Sequence, residues 1–281
     1  GGSLYSFANT LETSNPTCIQ YVRKYGYGVR SSLTENVSNN CPSLQSLKDW
    51  NAIVMGSQKS FRRIKIFIEK YSNWPDKVSI IGKAEQMLIR DASLSLEFGW
   101  FDRYTPRTYQ GLLKYIEYLE QKNKTTLARF FAQKFWRKMP MTQRQQKAFL
   151  QKNKKYLTHS DHLKRLSFMA LHKNSTAIGN LLPLLHKDEK YLGLALKGLL
   201  TFASNIDILV QNVPNSLSMH PALLFLRVWW RWEKGKKEQA ISLFLNIKKK
   251  GYHQAILKTW GALRLKMGRS LLMEQKYQKA F

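Results

Sequence analysis

Residues 125–150 read TTLARFFAQKFWRKMPMTQRQQKAFL, and this stretch carries the pattern that decides the fold. Apolar side chains recur every three or four residues from Leu127 to Phe135, which is the spacing of one buried helical face. Met139-Pro140 predicts the end of this helix, because the residue before a proline avoids helical backbone angles. Thr142 predicts the start of the next helix, since its hydroxyl can accept a hydrogen bond from a free backbone N–H.

The helical period continues on both sides of this stretch. Towards the N-terminus, apolar stripes begin at Leu44, Phe61, Val78 and Tyr109, with Pro106 opening the last of these helices. Towards the C-terminus, Thr158 or Ser160 begins one helix, and others are expected at about 175–185, 188–203, 220–234, 236–249 and 253–275. No segment alternates with period two for long, so the sequence predicts an all-α chain.

Short connections between these helices favour antiparallel helical hairpins. Ala177, Ala240 and Ala280 each follow a short turn, at unequal spacings close to the length of tetratricopeptide units. We therefore predict a helical-hairpin superhelix (an α-solenoid with irregular, tetratricopeptide-like repeats) over residues 44–281. Because Phe281 ends the chain without a capping residue, we expect this solenoid to be truncated at its C-terminal end.

Residues 1–43 break the helical period and predict a flexible N-terminal arm, in which residues 1–3 resemble the remnant of a tag. Both cysteines, Cys18 and Cys41, lie in this arm. A disulfide between them would close a loop of about two dozen residues and contribute about 3 kcal/mol in an oxidising compartment. Two separate thiols fit the sequence equally well, so their pairing stays open.

The charge of the chain restricts its partners more than its fold. Its 281 residues include 46 Lys and Arg against 18 Asp and Glu, a net charge of +28, yet 43% are hydrophobic, which excludes a disordered basic tail. No apolar run is long enough to span a bilayer. Such a surface attracts polyanions, but Lys is about twice as frequent as Arg, which argues against specific readout of nucleic-acid bases.

The densest aromatic and cationic cluster runs from Arg227 to Trp232 and reads RVWWRW. Trp faces stack on sugars or bases and Arg binds carboxylates, so Arg227, Trp230 and Arg231 are candidate ligand-binding residues. Helical spacing nevertheless places at least one Trp of the cluster on a buried face. We favour packing between solenoid helices as the simpler interpretation.

Motifs for catalysis and cofactor binding are absent: there is no Walker loop, GxGxxG, GxSxG, HExxH or EF-hand pattern. His159 and His162 have a spacing that can converge on a metal, with Asp161 between them. Since no third ligand cluster is visible, we predict no metal site and no cofactor.

Several motifs, in order, resemble the N-terminal superhelical region of soluble lytic murein transglycosylases. The resemblance covers roughly residues 44–281. Its first part is Phe67 to Pro75 (FIEKYSNWP) followed by Ala84-Glu85. Its second part is Phe135 to Thr142 (FWRKMPMT), with Phe149-Leu150, Tyr156-Leu157-Thr158, and Asp161-His162 followed by Arg165-Leu166. His220-Pro221-Ala222-Leu223, Arg227, Gly235 and Ala240 form its third part.

The resemblance implies a periplasmic or secreted protein whose superhelix binds or encloses peptidoglycan. In that family a C-terminal lysozyme-like domain cleaves the MurNAc–GlcNAc bond with the Glu of a Glu-Ser dipeptide, followed by a Gly-Leu-Met-Gln-type segment. No Glu of this chain precedes a Ser and no such segment occurs. No catalytic residue is therefore carried over, and we expect no activity from this chain alone, whether it belongs to a longer transglycosylase or to a shortened relative.

Two functions of other classes stay open. A stand-alone secreted helical-repeat adaptor would bind a protein partner on its solenoid surface. A basic helical repeat would bind nucleic acid through charge, with an affinity that falls steeply with salt.

Overall fold

The computed structural model describes residues 42–74, 76–249 and 260–278. Within these ranges the chain forms fourteen α-helices and several short 3₁₀ helices, without a strand. This confirms the predicted all-α class with an α-solenoid-like helical-repeat fold. Cys18 and Cys41 lie outside the described residues. None of the described helices is both long enough and apolar enough to cross a bilayer.

The chain divides into two compact units, of which the first ends at Asn123 and the second begins at Lys124. The first contains α1 (Pro42–Val54), α2 (Phe61–Lys70), α3 (Lys77–Arg90), α4 (Trp100–Arg103) and α5 (Tyr109–Gln121). The second contains α6 (Thr125–Lys138), α7 (Gln143–Asn153), α8 (His159–Leu171), α9 (Ser175–Leu181), α10 (Lys187–Thr201), α11 (Ile206–Gln211), α12 (Pro221–Glu233), α13 (Lys237–Lys249) and α14 (Gly261–Gln278).

Two predicted helix starts are confirmed at atomic detail. The Thr142 hydroxyl accepts a hydrogen bond from the backbone N–H of Gln145, whose side chain accepts from the N–H of Thr142 in return. Thr158 precedes α8, and its N–H and hydroxyl both donate to the Asp161 carboxylate, at 2.8 and 2.9 Å. The small residues Ala177 and Ala240 are buried, as close helix packing requires.

Other boundaries differ from the prediction. Pro106 does not open α5, because Thr108 is its N-cap and accepts from the N–H of Gly111. The stretch after Arg90, for which no helix was predicted, forms a 3₁₀ helix (Ala92–Gly99) and then α4. The short helix α11 was not predicted either.

A buried carboxylate holds the start of α5 in the first unit. Glu85 on α3 is only 2% exposed and accepts hydrogen bonds from the N–H groups of Arg107 and Thr108 and from the Thr108 hydroxyl. A Cβ atom at Gly111 would collide with this carboxylate, which explains a glycine inside a helix. Glu85 therefore joins α3 to the first turn of α5.

In the second unit a buried arginine closes the end of α6. The Trp136 carbonyl would ordinarily accept from the N–H four residues later, but Pro140 has none. Arg165 of α8 instead donates through its Nη1 to the carbonyls of Trp136 and Met139, at 2.5 and 2.7 Å. Its guanidinium is fully buried and lies 4.6 Å from the Trp136 ring centroid, and burial lowers its pKa to about 10.

A carboxylate of the same helix completes this junction. Asp161 is fully buried and accepts from Thr158 through one oxygen and from Arg137 of α6 through the other, with Arg137 Nε at 2.6 Å. Burial by itself would raise the pKa of Asp161, but the hydrogen bonds from Thr158 and Arg137 leave that pKa below its usual value. Arg137, Asp161 and Arg165 therefore fasten α8 to α6.

We expect Arg165→Met to lower the free energy of unfolding by about 2–3 kcal/mol, because it leaves two carbonyl groups at the end of α6 without a donor. The loss is measured by urea denaturation at neutral pH. Arg144→Met, which changes an exposed arginine of α7 in the same way, is the matched control and should have little effect. Equal stability of the two variants would contradict this role of Arg165.

Candidate ligand-binding surface

Helix α12 carries the predicted aromatic and cationic cluster and packs against α8, α10 and α13. Trp232 is buried, with 7% of its surface exposed, whereas Trp229 and Trp230 are half-buried. The cluster thus has one core Trp and two that reach the surface, because consecutive residues on a helix point about 100° apart.

Trp229 lies in a group of side chains that come from three places in the fold. Its ring centroid is 5.5 Å from that of Phe202, and the Lys173 ammonium lies over its ring at 4.8 Å. Lys234 lies 5.1 Å from the Phe202 ring. Phe202 is 39% exposed, so the group presents aromatic surface to solvent. We call Trp229, Phe202, Lys173 and Lys234 the aromatic–lysine surface.

Backbone geometry at two helix ends positions this surface. Lys173 follows α8 and Phe202 follows α10, and both have left-handed backbone angles with φ near 57° and 53°. Such a residue turns the chain sharply away from the helix axis. Neither residue was predicted to belong to a binding surface, because their contact with Trp229 joins segments that are far apart along the chain.

The predicted binding residues Arg227, Trp230 and Arg231 lie beside this surface. Lys236 lies 5.3 Å from the Trp230 ring centroid, and the indole Nε1 of Trp230 is buried without a hydrogen-bond partner. Arg231 donates to the backbone carbonyl of Arg227 at 3.0 Å. Burial first, and then the positive charge of Arg227, lower the pKa of Arg231. One N–H group of Arg231 is therefore already used in a hydrogen bond within its own helix.

This arrangement is suited to ligands that combine an apolar face with negative charge. Aromatic rings stack on the C–H faces of sugars, while a nearby ammonium binds a carboxylate or phosphate. A lysine held only by an exposed aromatic ring gains about 0.5–1 kcal/mol from that contact, so an anion can readily recruit it.

A second group of polar side chains lies at the starts of α8 and α10. His159 does not pair with His162 as a metal-binding couple; its Nε2 instead lies 2.7 Å from the Glu189 carboxylate. His162 turns towards Trp136, with ring centroids 5.4 Å apart. Burial and then the His159 charge lower the pKa of His162. His159, His186 and Glu189 are the residues in the described part of the chain whose ligand atoms could share a metal ion.

We expect Trp232→Ala to lower the free energy of unfolding by about 3–5 kcal/mol, because it empties a buried indole site. Trp229→Ala should cost no more than about 1.5 kcal/mol, since the ring is already partly exposed. Chemical denaturation of both variants tests the division of the cluster into core and surface. Losses of equal size would show that Trp229 is also a core residue.

The start of α12 depends on a neutral histidine. His220 Nδ1 accepts from the N–H of Ala222 at 3.2 Å, which protonation of that nitrogen would prevent, and burial lowers the His220 pKa from its usual 6.5. The unfolded chain therefore takes up this proton more readily than the folded chain, so stability falls as the pH decreases through about 6.5.

The predicted fall in stability with decreasing pH can be tested with His220→Asn, which keeps a capping acceptor but has no titratable group. Between about pH 7.5 and about pH 5.5, we expect a smaller fall in melting temperature for this variant than for the wild type. His172→Asn, at an exposed position, should retain the wild-type fall. An unchanged fall in His220→Asn would contradict the assignment.

No family model matches the chain, and neither the curated proteins nor the solved structures contain a significant match to it.

Proposed function

We propose that the chain is a non-catalytic helical-repeat scaffold that binds peptidoglycan, like the superhelical region of the lytic transglycosylases that it resembles. The observation that supports this most directly is the aromatic–lysine surface, Trp229 and Phe202 with Lys173 and Lys234 over their rings. Arg227, Trp230 and Arg231 are the adjoining residues with which a bound strand would make contact.

Peptidoglycan has the chemistry that such a surface accepts. Its strands offer repeated sugar rings with C–H faces, and the stem peptides carry carboxylates. The chain has a net charge of +28, so its long-range field draws anionic polymers towards every face, whereas the aromatic rings add a short-range preference for sugars. Stacking on sugar rings therefore distinguishes the proposed binding of peptidoglycan from the attraction that any polyanion would feel. A periplasmic or secreted location is part of the same proposal.

Binding to purified sacculi at increasing salt tests the proposal. At low salt we expect charge to dominate and all variants to bind; at about 0.3 M salt, where the Debye length is shorter than about 8 Å, stacking should decide. There we expect Trp229→Ala and Trp230→Ala to weaken binding roughly 3- to 10-fold. A Lys173→Gln/Lys234→Gln double variant should lose more binding than Lys147→Gln/Lys190→Gln, a matched change at two exposed lysines elsewhere in the second unit.

The outcomes distinguish the competing functions. Equal loss in the two double-lysine variants would mean that charge alone holds the sacculi and would overturn the proposed surface. Preference for RNA or DNA over sacculi at the same salt would favour the nucleic-acid function. We expect no release of anhydro-muropeptides in any of these incubations, because the Glu-Ser context of the family is absent from the chain; release above a buffer control would contradict the scaffold role.

A further inference from the structure

The starts of α8 and α10 bring together two imidazoles and a carboxylate. His159 is the first residue of α8, His186 is the N-cap of α10, and Glu189 is the third residue of α10. His159 Nε2 lies 2.8 and 2.7 Å from the two Glu189 carboxylate oxygens. The two imidazole rings are stacked, with centroids 3.6 Å apart and planes inclined by 7°.

We propose that His159, His186 and Glu189 form a binding site for a divalent transition-metal ion, with Zn²⁺ as the best-suited ion. One ligand atom from each of these residues lies within 4.8 Å of the other two. Two histidines and one carboxylate are a donor set that Zn²⁺ uses with its fourth position open to water or another ligand. The site is independent of the aromatic–lysine surface and of the peptidoglycan proposal.

The site has to rearrange to bind an ion, because the in-plane lone pairs of two stacked imidazoles run nearly parallel and one ring must tilt to face the same ion. Ligand atoms around a tetrahedral Zn²⁺ lie roughly 3.3 Å apart, since each bond is about 2.0 Å long. His159 and Glu189 lie closer than this and would move slightly apart, whereas His186, whose Nδ1 lies 4.0 Å from the Glu189 carboxylate, would tilt and move inward. The His186 side chain is 73% exposed, whereas that of Glu189 is 14% exposed, so the mobile member of the set is the one that must move most.

Backbone contacts hold the carboxylate in place before any metal arrives. Glu189 accepts a hydrogen bond from the N–H of His186 at 2.9 Å, which fixes it to the first turn of α10. A bound ion would replace the contact between His159 Nε2 and the Glu189 carboxylate. Each imidazole can offer one ring nitrogen to a metal ion.

The surroundings select the class of ion. The N-terminal ends of α8 and α10 carry partial positive charge, and the nearby Asp161 carboxylate is neutralised by Arg137. A single carboxylate is too little for Ca²⁺ or Mg²⁺, which prefer several oxygen ligands. Imidazole nitrogens favour Zn²⁺, Ni²⁺ or Cu²⁺, and the positive surroundings weaken the binding of any cation here. Such an ion would join the starts of two successive helical hairpins.

Titration of Zn²⁺ into tag-free, chelator-treated protein tests the site. A Cys18→Ser/Cys41→Ser background removes the two thiols, so that thiolates cannot supply the binding. We expect one Zn²⁺ per chain by calorimetry, a rise in melting temperature with Zn²⁺, and a Co²⁺ visible spectrum typical of tetrahedral nitrogen and oxygen ligands. Mg²⁺ should produce none of these effects.

Two variants and one control separate this site from surface binding. His186→Ala and Glu189→Gln should weaken Zn²⁺ binding at least tenfold, while His172→Ala, at another exposed histidine, should bind like the parent. His186→Ala removes a largely exposed side chain and keeps the backbone bond to Glu189, so it should fold normally. Parent-like Zn²⁺ affinity in His186→Ala, or no binding to the parent at about 100 μM Zn²⁺, would overturn the proposal and leave His159 and Glu189 as a simple ion pair.

Discussion

The second unit depends on one buried guanidinium. Pro140 ends α6 and at the same time deprives the Trp136 carbonyl of its usual donor. Arg165, from the next hairpin, supplies that donor and also stacks on the Trp136 ring at 4.6 Å. Without Arg165, the end of α6 would bury unpaired carbonyl groups. Because Arg165 lies on α8, its hydrogen bonds to these carbonyl groups also fix the position of α8 against the end of α6.

The first unit uses the same principle with the opposite charge. Glu85 accepts the free N–H groups that precede α5, just as Arg165 donates to the free carbonyl groups that follow α6. Both residues belong to the motifs that resemble lytic transglycosylases. Both residues make their contacts inside the protein. These motifs therefore determine how helical hairpins are joined. The proposed function therefore rests mainly on the aromatic–lysine surface, whose four residues lie outside those motifs.

How much the sequence predicts depends on whether a feature is local. The long helices and the caps at Thr142 and Thr158 follow from periodicity and from neighbouring residues. The helices α4 and α11 were missed because four to six residues are too few to show a period. The prediction that at least one Trp of the cluster is buried is confirmed at Trp232. The approach of Lys173 and Phe202 to Trp229 depends instead on the turn geometry of two helix ends, which is not a local pattern.

The histidines show the same limit. His159 and His162 have a spacing that can converge on a metal, although we predicted no site there, and in the fold the His162 ring lies against Trp136. The partner of His159 lies at the start of another helix, where His186 and Glu189 have the same three-residue spacing. Two histidine motifs at helix starts were a signal in the sequence, yet only the stacking of successive hairpins shows that they meet.

The shortage of acidic residues connects the charge of the chain with its candidate surface. With 46 basic and 18 acidic residues, most basic side chains cannot have a carboxylate of their own. In the second unit, Lys173, Lys234 and Lys236 lie over aromatic rings instead. These contacts are worth about 0.5–1 kcal/mol each at exposed sites, less than a charge-assisted hydrogen bond to an anion. An anionic glycan can therefore draw a lysine away from its ring and stack a sugar on the face that the lysine leaves. In the proposed function, charge attraction and aromatic stacking would be successive steps of one binding event.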